Sequence, residues 1–156
     1  MTTNQPILAI VTLLGLVSMV DIGPVFAADK SLRPANTIAI KAGKSIYANH
    51  CASCHGNNLE GQPNWRDNLP SGRMPAPPHD KTGHTWHHSD GLLFKITKLG
   101  TSKVVGGGYQ SDMPGFEEIL TDHQIIDVLS FIKSTWPEKF RRLHDGVNER
   151  AKLYGE

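Results

Sequence analysis

The sequence shows no sustained strand-like alternation of apolar and polar residues, no internal repeat and no large excess of charge of either sign. It has 16 Lys and Arg against 15 Asp and Glu, and this near balance gives no reason to expect nucleic acid or an anionic membrane as a partner. Cysteine is scarce, and both copies lie within the short stretch 48–61, ANHCASCHGNNLEG. In contrast, the chain of 156 residues contains 15 Gly and 10 Pro, which predicts that much of it forms loops. The length suits one domain.

The chain begins with an apolar run over residues 7–20, which is short for a membrane span of about 20 residues. Val25 and Ala27 then fit the small-residue pattern of a secretory cleavage site. We therefore predict a signal peptide over residues 1–27 and an exported protein in the periplasm or another extracytoplasmic space. Residues 1–6 contain no Lys or Arg, which departs from the signal pattern and leaves open an uncleaved leader that acts as an anchor.

Helical spacing of apolar residues predicts an all-α fold. Three helices are predicted over about 38–52, 90–99 and 122–136, and the residues after Pro137 add at most a short amphipathic helix. The segment 56–82 is too rich in Gly, Pro and Asn for a regular helix, so we predict a long loop there. Loops of this length are unusual in a small domain unless something other than side chains fills the core.

The two cysteines belong to the motif CASCH, residues 51–55, which has the C-x-x-C-H pattern of c-type haem attachment. In this pattern each thiol adds to a vinyl group of the porphyrin, and the histidine that follows presents its imidazole to the iron. One helical turn between Cys51 and Cys54 places both sulfurs at one edge of the ring, from which His55 reaches the metal. The motif therefore predicts one haem c, covalently attached through Cys51 and Cys54 and ligated by His55.

Other uses of a paired cysteine fit the sequence less well. A thiol–disulfide exchange site would be expected in a βαβ setting, which the sequence does not show. A structural zinc site would need two more ligands at paired spacing. A simple disulfide would leave His55 without a role.

The sequence around the motif resembles the class I, monohaem c-type cytochromes, and in particular small exported bacterial cytochromes with a Pro- and His-rich middle. The resemblance covers about residues 42–137 and includes HGNNLEG after the motif and DHQIIDVLSFIKSTWP near the end. It implies three main helices and long loops wrapped around one haem. The corresponding organisation is a cytochrome domain over 28–137 and a C-terminal extension over 138–156.

In the resembled family, a small residue and an aromatic residue on the first helix pack against the last helix. Gly43 and Tyr47 stand eight and four residues before Cys51 and match these places, with Val128 and Phe131 as the expected partners. Close approach of two helices needs a residue without a side chain, which gives the glycine a packing reason inside a helix.

The resemblance also implies a methionine on the second face of the iron, from a loop just before the last helix and followed by proline. Met113 in SDMPGF fits this placement, whereas Met74 in GRMPAP comes too early in the chain. We therefore predict His55 and Met113 as the axial ligands. Thioether ligation favours ferrous iron and raises the reduction potential.

Two features of the middle segment remain open at this stage. A family proline carbonyl accepts a hydrogen bond from the ligand histidine, and Pro63 is the first candidate, with Pro70, Pro75 and Pro77 also in range. The stretch PHDKTGHTWHH places four histidines close together, at positions 79, 84, 87 and 88. Imidazole suits copper and zinc, but the favoured interpretation is a loop in which one histidine and Trp86 contact the haem propionates.

These features together predict a monomeric electron carrier that passes single electrons between periplasmic or membrane-bound redox proteins, and not an enzyme. Basic residues of the C-terminal extension offer a possible docking patch for such partners, with a solvated helix face as the default. One alternative is a haem enzyme or ligand sensor with an open iron site. A second is a copper-handling cytochrome that uses the histidine-rich loop.

Overall fold

The computed structural model describes Met1 and residues 30–155 of the chain. Within these residues the fold is entirely helical, with six α-helices, a short 3-10 turn and no strand, so the all-α prediction is confirmed. The elements are α1 (Thr37–His50), α2 (Ala52–His55), the 3-10 turn (Thr85–His87), α3 (Asp90–Leu99), α4 (Thr101–Val105), α5 (Asp122–Ser134) and α6 (Glu138–Tyr154). The predicted signal peptide over residues 1–27 lies outside the described residues.

The core of the fold is the crossing of α1 and α5. A Cβ on Gly43 would collide with the backbone carbonyl of Asp127 and lie 2.9 Å from Cβ of Phe131, so the two helices touch through backbone at this point. One turn later, the ring centroid of Tyr47 lies 5.6 Å from that of Phe131, and Val128 is buried beside them. The predicted packing of the first helix on α5 is therefore present.

The ends of α3 and α5 follow from local capping chemistry. The Ser89 hydroxyl accepts a hydrogen bond from the backbone N–H of Leu92 at the start of α3. Thr121 and Gln124 form a reciprocal capping box at the start of α5. Gly100 ends α3 with a positive φ of 85°, a backbone conformation that glycine adopts without strain. Both helices therefore begin where the sequence predicts, and α3 also ends there.

Two elements differ from the sequence-based expectation. α4 is a helical turn of five residues that lies outside the three predicted helices. The C-terminal segment forms a helix of 17 residues, the longest in the described part of the chain, where only a short helix was expected. Two arginines near its start stabilise this helix. Arg142 pairs with Glu138 one turn earlier, and Arg141 donates to the backbone oxygen of Trp136, just after α5.

α6 packs back onto α5, the residues just after it and the 3-10 turn. The Phe140 ring lies edge-on to Trp86 at 4.9 Å, and the buried His144 ring lies edge-on to Trp136 at 5.1 Å. Lys133 of α5, almost fully buried, donates to Asp145 at 2.6 Å. Among the residues that the structure describes, none of the helices is long and apolar enough to cross a membrane.

Candidate functional site: the CASCH motif and its surroundings

The motif occupies the short helix α2, which follows α1 almost without interruption. The backbone N–H of His55 donates to Cys51 O at 2.9 Å, which closes one helical turn around the motif. The Tyr47 hydroxyl donates to Gly56 O at 2.8 Å and lies 3.3 Å from His55 O. Tyr47 thereby satisfies carbonyl groups at the end of α2 that have no partner within the helix. One buried side chain of α1 thus fixes the position of the whole motif.

His55 is buried, with 7% of its surface exposed, and its Nδ1 atom lies 2.8 Å from Pro77 O. A carbonyl accepts hydrogen bonds only, so the proton sits on Nδ1 and the Nε2 atom keeps a free lone pair. This is the tautomer that an Nε2 metal ligand needs. The first candidate from sequence, Pro63, is therefore not the acceptor: it is exposed and lies on a turn of the loop, and Pro77 takes the role.

Pro77 reaches His55 because the loop folds back against the end of the motif. The backbone N–H of Gly61 donates to His55 O at 2.8 Å, and a Cβ on Gly61 would lie 2.6 Å from the carbonyl carbon of Pro77. A side chain at position 61 would keep these two segments of the loop from approaching so closely, so the position requires glycine. The signal in the sequence was the dipeptide Pro77-Pro78, since a residue before proline is held extended and leaves its carbonyl free.

The two thiols are free and separated by one helical turn. Burial, and secondly the neighbouring Cys54, raise the pKa of the Cys51 thiol to about 11. Cysteines that carry out disulfide exchange instead have a lowered pKa. The environment of Cys51 therefore argues against a role in disulfide exchange.

Met113 lies half-buried on the loop that precedes α5. Two backbone hydrogen bonds of 3.0 Å fasten this loop to the end of α3, from Phe116 N to Thr97 O and from Glu117 N to Lys98 O. The Ser111 hydroxyl accepts from the backbone N–H of Met113 at 3.2 Å. The loop that carries Met113 is therefore held in place by bonds on both sides of the methionine.

Met74 is more exposed than Met113, but its loop is a neighbour of the Met113 loop. Arg73 forms an ion pair with Asp112, and a second guanidinium nitrogen lies 3.4 Å from the side-chain oxygen of Gln110. The structure thus brings the two Met-Pro segments together, although they are far apart in the sequence. Burial favours Met113 as the ligand.

Trp86 provides a test of whether a haem fits this fold. Its indole Nε1–H is buried and has no hydrogen-bond partner among the described residues. A buried donor without an acceptor is costly, by about 1–3 kcal/mol, and a haem propionate is an acceptor of the right kind. Together with two free thiols and a histidine whose Nε2 lone pair is available, this orphaned donor makes the residues present fit a covalently bound haem.

The four histidines of the middle segment do not share one environment. His79 stacks on His55, and the His84 ring stacks on Trp65 with a centroid distance of 5.2 Å. The centroid of His88 lies 5.3 Å from that of His84, edge to face, whereas the His87 ring leans on Trp86. Within the described residues, no group of three or more His, Cys, Asp or Glu side chains is arranged to hold a metal ion.

Burial also lowers the pKa of several of these imidazoles. The pKa of His79 is held well below its usual value by burial first and then by His55 and His84, and the pKa of His84 and His88 is lowered mainly by burial. These rings are therefore neutral near pH 7. The role of His79 as a neighbour of His55 was missed by sequence reasoning, because the sequence placed it only among loop histidines.

Comparison with known proteins identifies the family of this chain. Residues 40–136, more than half of the chain, match the family described as Cytochrome c. The matched segment begins within α1 and ends just after α5, so it contains the motif, Pro77 and Met113. No curated protein and no solved structure gives a significant match. On its family match and its all-helical fold, the chain belongs to the cytochrome c family, whose members carry haem c and usually transfer electrons.

Proposed function

We propose that this protein is an exported, monohaem electron carrier. In this proposal Cys51 and Cys54 hold the haem through thioether bonds, and His55 and Met113 ligate the iron. The observation that carries the proposal is the state of His55: a buried imidazole whose Nδ1–H is bound to Pro77 O, so that Nε2 is available to a metal. A metal-ligating histidine usually donates its other ring N–H to a carbonyl or carboxylate, and His55 has this arrangement.

A bound haem supplies a one-electron iron couple, and His/Met ligation raises its reduction potential. The protein's own task is to hold the ligands still and to keep water out. Pro77 and Tyr47 do the first on the His55 side, and the backbone bonds of the Met113 loop do it on the other side. If His55 and Met113 fill both ligand positions as proposed, the iron would have no open site for a substrate, and the protein would act as a carrier and not as an enzyme or sensor.

The proposed partners are redox proteins in the same extracytoplasmic compartment, with the carrier acting as a monomer. The chain is close to neutral overall, so we do not expect strong steering by net charge. The basic side chains of α6 are partly committed to the fold, since Arg141 donates to the backbone oxygen of Trp136 and Arg142 pairs with Glu138. We therefore favour docking at the surface around the motif over docking at α6.

The test is to express the full chain in a host that attaches haem c. Mass spectrometry should show one added haem on the processed protein, and the pigment should resist extraction with acid acetone. The oxidised spectrum should contain the weak band at the red end that reports an iron–methionine bond. Freely extractable pigment would overturn covalent attachment, and binding of CO or cyanide by the unaltered protein without displacing a ligand would favour the enzyme or sensor alternative.

A further inference from the structure

A second histidine, His79, stacks on the proposed iron ligand His55. The centroids of the His55 and His79 rings lie 4.0 Å apart, and the ring planes are inclined by 26°. This is a stacked arrangement at ordinary contact distance. Because Pro77 binds the edge of the His55 ring and His79 covers its face, a segment of three residues contacts that imidazole from two directions.

His79 is itself held from several sides. Its Nδ1 atom lies 2.8 Å from the Thr85 hydroxyl, its backbone N–H donates to Leu59 O at 2.8 Å, and its carbonyl accepts from Trp136 Nε1 at 2.7 Å. The Tyr47 ring lies edge-on at 6.3 Å. The backbone bonds fix where the His79 side chain begins, and the Thr85 hydroxyl holds the ring in the orientation that stacks on His55.

The two contacts on His55 constrain different motions. One hydrogen bond at Nδ1 fixes where the ring edge points, but it still permits the ring to rock about the line that joins Nδ1 to its acceptor. A flat partner on the ring face opposes that rocking. Ring orientation governs how the imidazole π orbitals overlap with the iron d orbitals, and it is one of the levers by which a protein tunes a haem.

We propose that His79 is a positioning residue, which fixes the plane of the His55 imidazole by stacking on its face, with Thr85 as the anchor of the stack. This inference rests on the proposed ligation of iron by His55. It assigns a task to a histidine that the sequence grouped with three others in the middle loop. The feature required of position 79 is a flat aromatic face, and the Thr85 contact keeps that face in register.

The test uses the haem-loaded protein and the electron paramagnetic resonance of its ferric form, in which the largest g value depends on the orientation of the axial ligand planes. His79→Leu keeps most of the volume but removes the flat face, and His79→Phe keeps the flat face. Thr85→Val removes the hydroxyl at nearly constant shape. His84→Leu, at an exposed position in the same segment where the ring stacks on Trp65, is the matched control.

We expect His79→Leu to shift and broaden the largest g signal and to change the reduction potential. His79→Phe should restore the signal to near its original position, Thr85→Val should give a smaller change, and the control should give none. A purely structural role would lower the melting temperature of the Leu variant without moving g. Unchanged g values and potential in the Leu variant would overturn the inference. Absence of a His/Met spectrum in the unaltered protein would instead overturn the proposed function.

Discussion

The backbone carbonyl of Asp127 occupies the space that a side chain on Gly43 would need. α1 and α5 therefore cross with backbone against backbone, and this crossing sets where α2 and its motif begin. Asp127 is also held by charge, because Arg33 from the chain segment before α1 contacts its carboxylate at 2.7 Å. The position of the haem-binding motif thus depends on the contact between Asp127 and Gly43, a residue of α1 that precedes the motif.

The first prediction concerns this crossing. Gly43→Ala should destabilise the protein by about 3 kcal/mol, the upper end of the usual cost of overpacking, because one added methyl group must push the helices apart. This loss outweighs the gain of about 1 kcal/mol that alanine brings to a helix interior. The matched control is Gly146→Ala in α6, where the nearest atom to an added Cβ is the flexible end of Arg150 at 3.7 Å.

Urea unfolding of the haem-loaded variants measures both effects. The control should be neutral or more stable by up to about 1 kcal/mol. Equal stability changes at positions 43 and 146 would show that the crossing tolerates a side chain, and the account of Gly43 given above would be wrong.

The second prediction separates the two Met-Pro segments. Met113→Ala should abolish the red-end band of the oxidised spectrum and open the iron to CO or cyanide, since the proposed sulfur ligand is lost. Met74→Ala should leave the band in place, because Met74 is exposed and the ion pair to the Met113 loop is made by its neighbour Arg73. Optical titration with cyanide makes the comparison. Loss of the band in the Met74 variant alone would transfer the ligand role to that residue.

The third prediction uses the orphaned indole of Trp86. If its N–H binds a propionate, Trp86→Phe should keep the aromatic contact with Phe140 but leave the propionate charge less compensated. Less compensated negative charge favours ferric iron, so the potential should fall by roughly 20–60 mV, where about 59 mV corresponds to about 1.4 kcal/mol for one electron. Voltammetry of this variant beside Trp65→Phe measures the shift, since the Trp65 indole stacks on His84 and is not among the buried groups without a partner in the described residues. Equal potentials in both variants would exclude the propionate contact.

The fourth prediction addresses copper. The histidines of the middle segment are engaged separately, with His84 on Trp65 and His87 on Trp86, so we expect weak and non-stoichiometric Cu²⁺ binding. Calorimetry should give similar isotherms for the unaltered protein and for a variant with His84, His87 and His88 all changed to Ala. A tight one-to-one isotherm that is lost in the variant, and weakened at acid pH by proton competition, would support the copper-handling alternative.

Sequence reasoning reached the parts of this protein that depend on local chemistry. The C-x-x-C-H spacing indicates haem attachment without any tertiary information, and the capping residues Ser89 and Thr121 mark where α3 and α5 begin. The packing of Gly43 on α5 was accessible because a glycine in a helix interior needs a reason, and the family resemblance provided one. These features were predictable because each is contained within a few consecutive residues or within a familiar pairing of helices.

The features of the candidate site that sequence reasoning missed depend on how the loops fold back. Pro77, and not Pro63, meets His55, because Gly61 lets a distant part of the loop approach the motif. The meeting of Arg73 with Asp112 likewise joins segments whose separation in the chain gives no sign of contact. Loop geometry of this kind is set by a few long-range contacts, and no periodicity in the sequence records it.

The last prediction concerns a buried ionisable cluster between α3, α5 and α6. His144 is fully buried, with its Nε2 atom 3.4 Å from Asp90 Oδ1. The second oxygen of Asp90 accepts from the backbone N–H of Leu32 at 2.9 Å. Burial, and then the nearby Lys133, lower the pKa of His144 below its usual 6.5, against smaller opposite effects of Asp90, the His88 carbonyl and Asp145. The ring is therefore neutral in the folded protein at pH 7.

The sign of the pH dependence follows from this lowered pKa. As the pH falls below about 6.5, the unfolded chain binds a proton at His144 that the folded chain does not, so stability decreases by up to about 1.4 kcal/mol per pH unit until the folded pKa is reached. Urea unfolding of the haem-loaded protein at pH 7.5 and 5.5 should show this loss, together with those of other buried histidines. His144→Phe should lose less stability over the same interval, whereas His50→Gln, at an exposed position, should behave like the unaltered protein. An equal loss in the His144 variant would mean that this imidazole does not contribute to acid sensitivity.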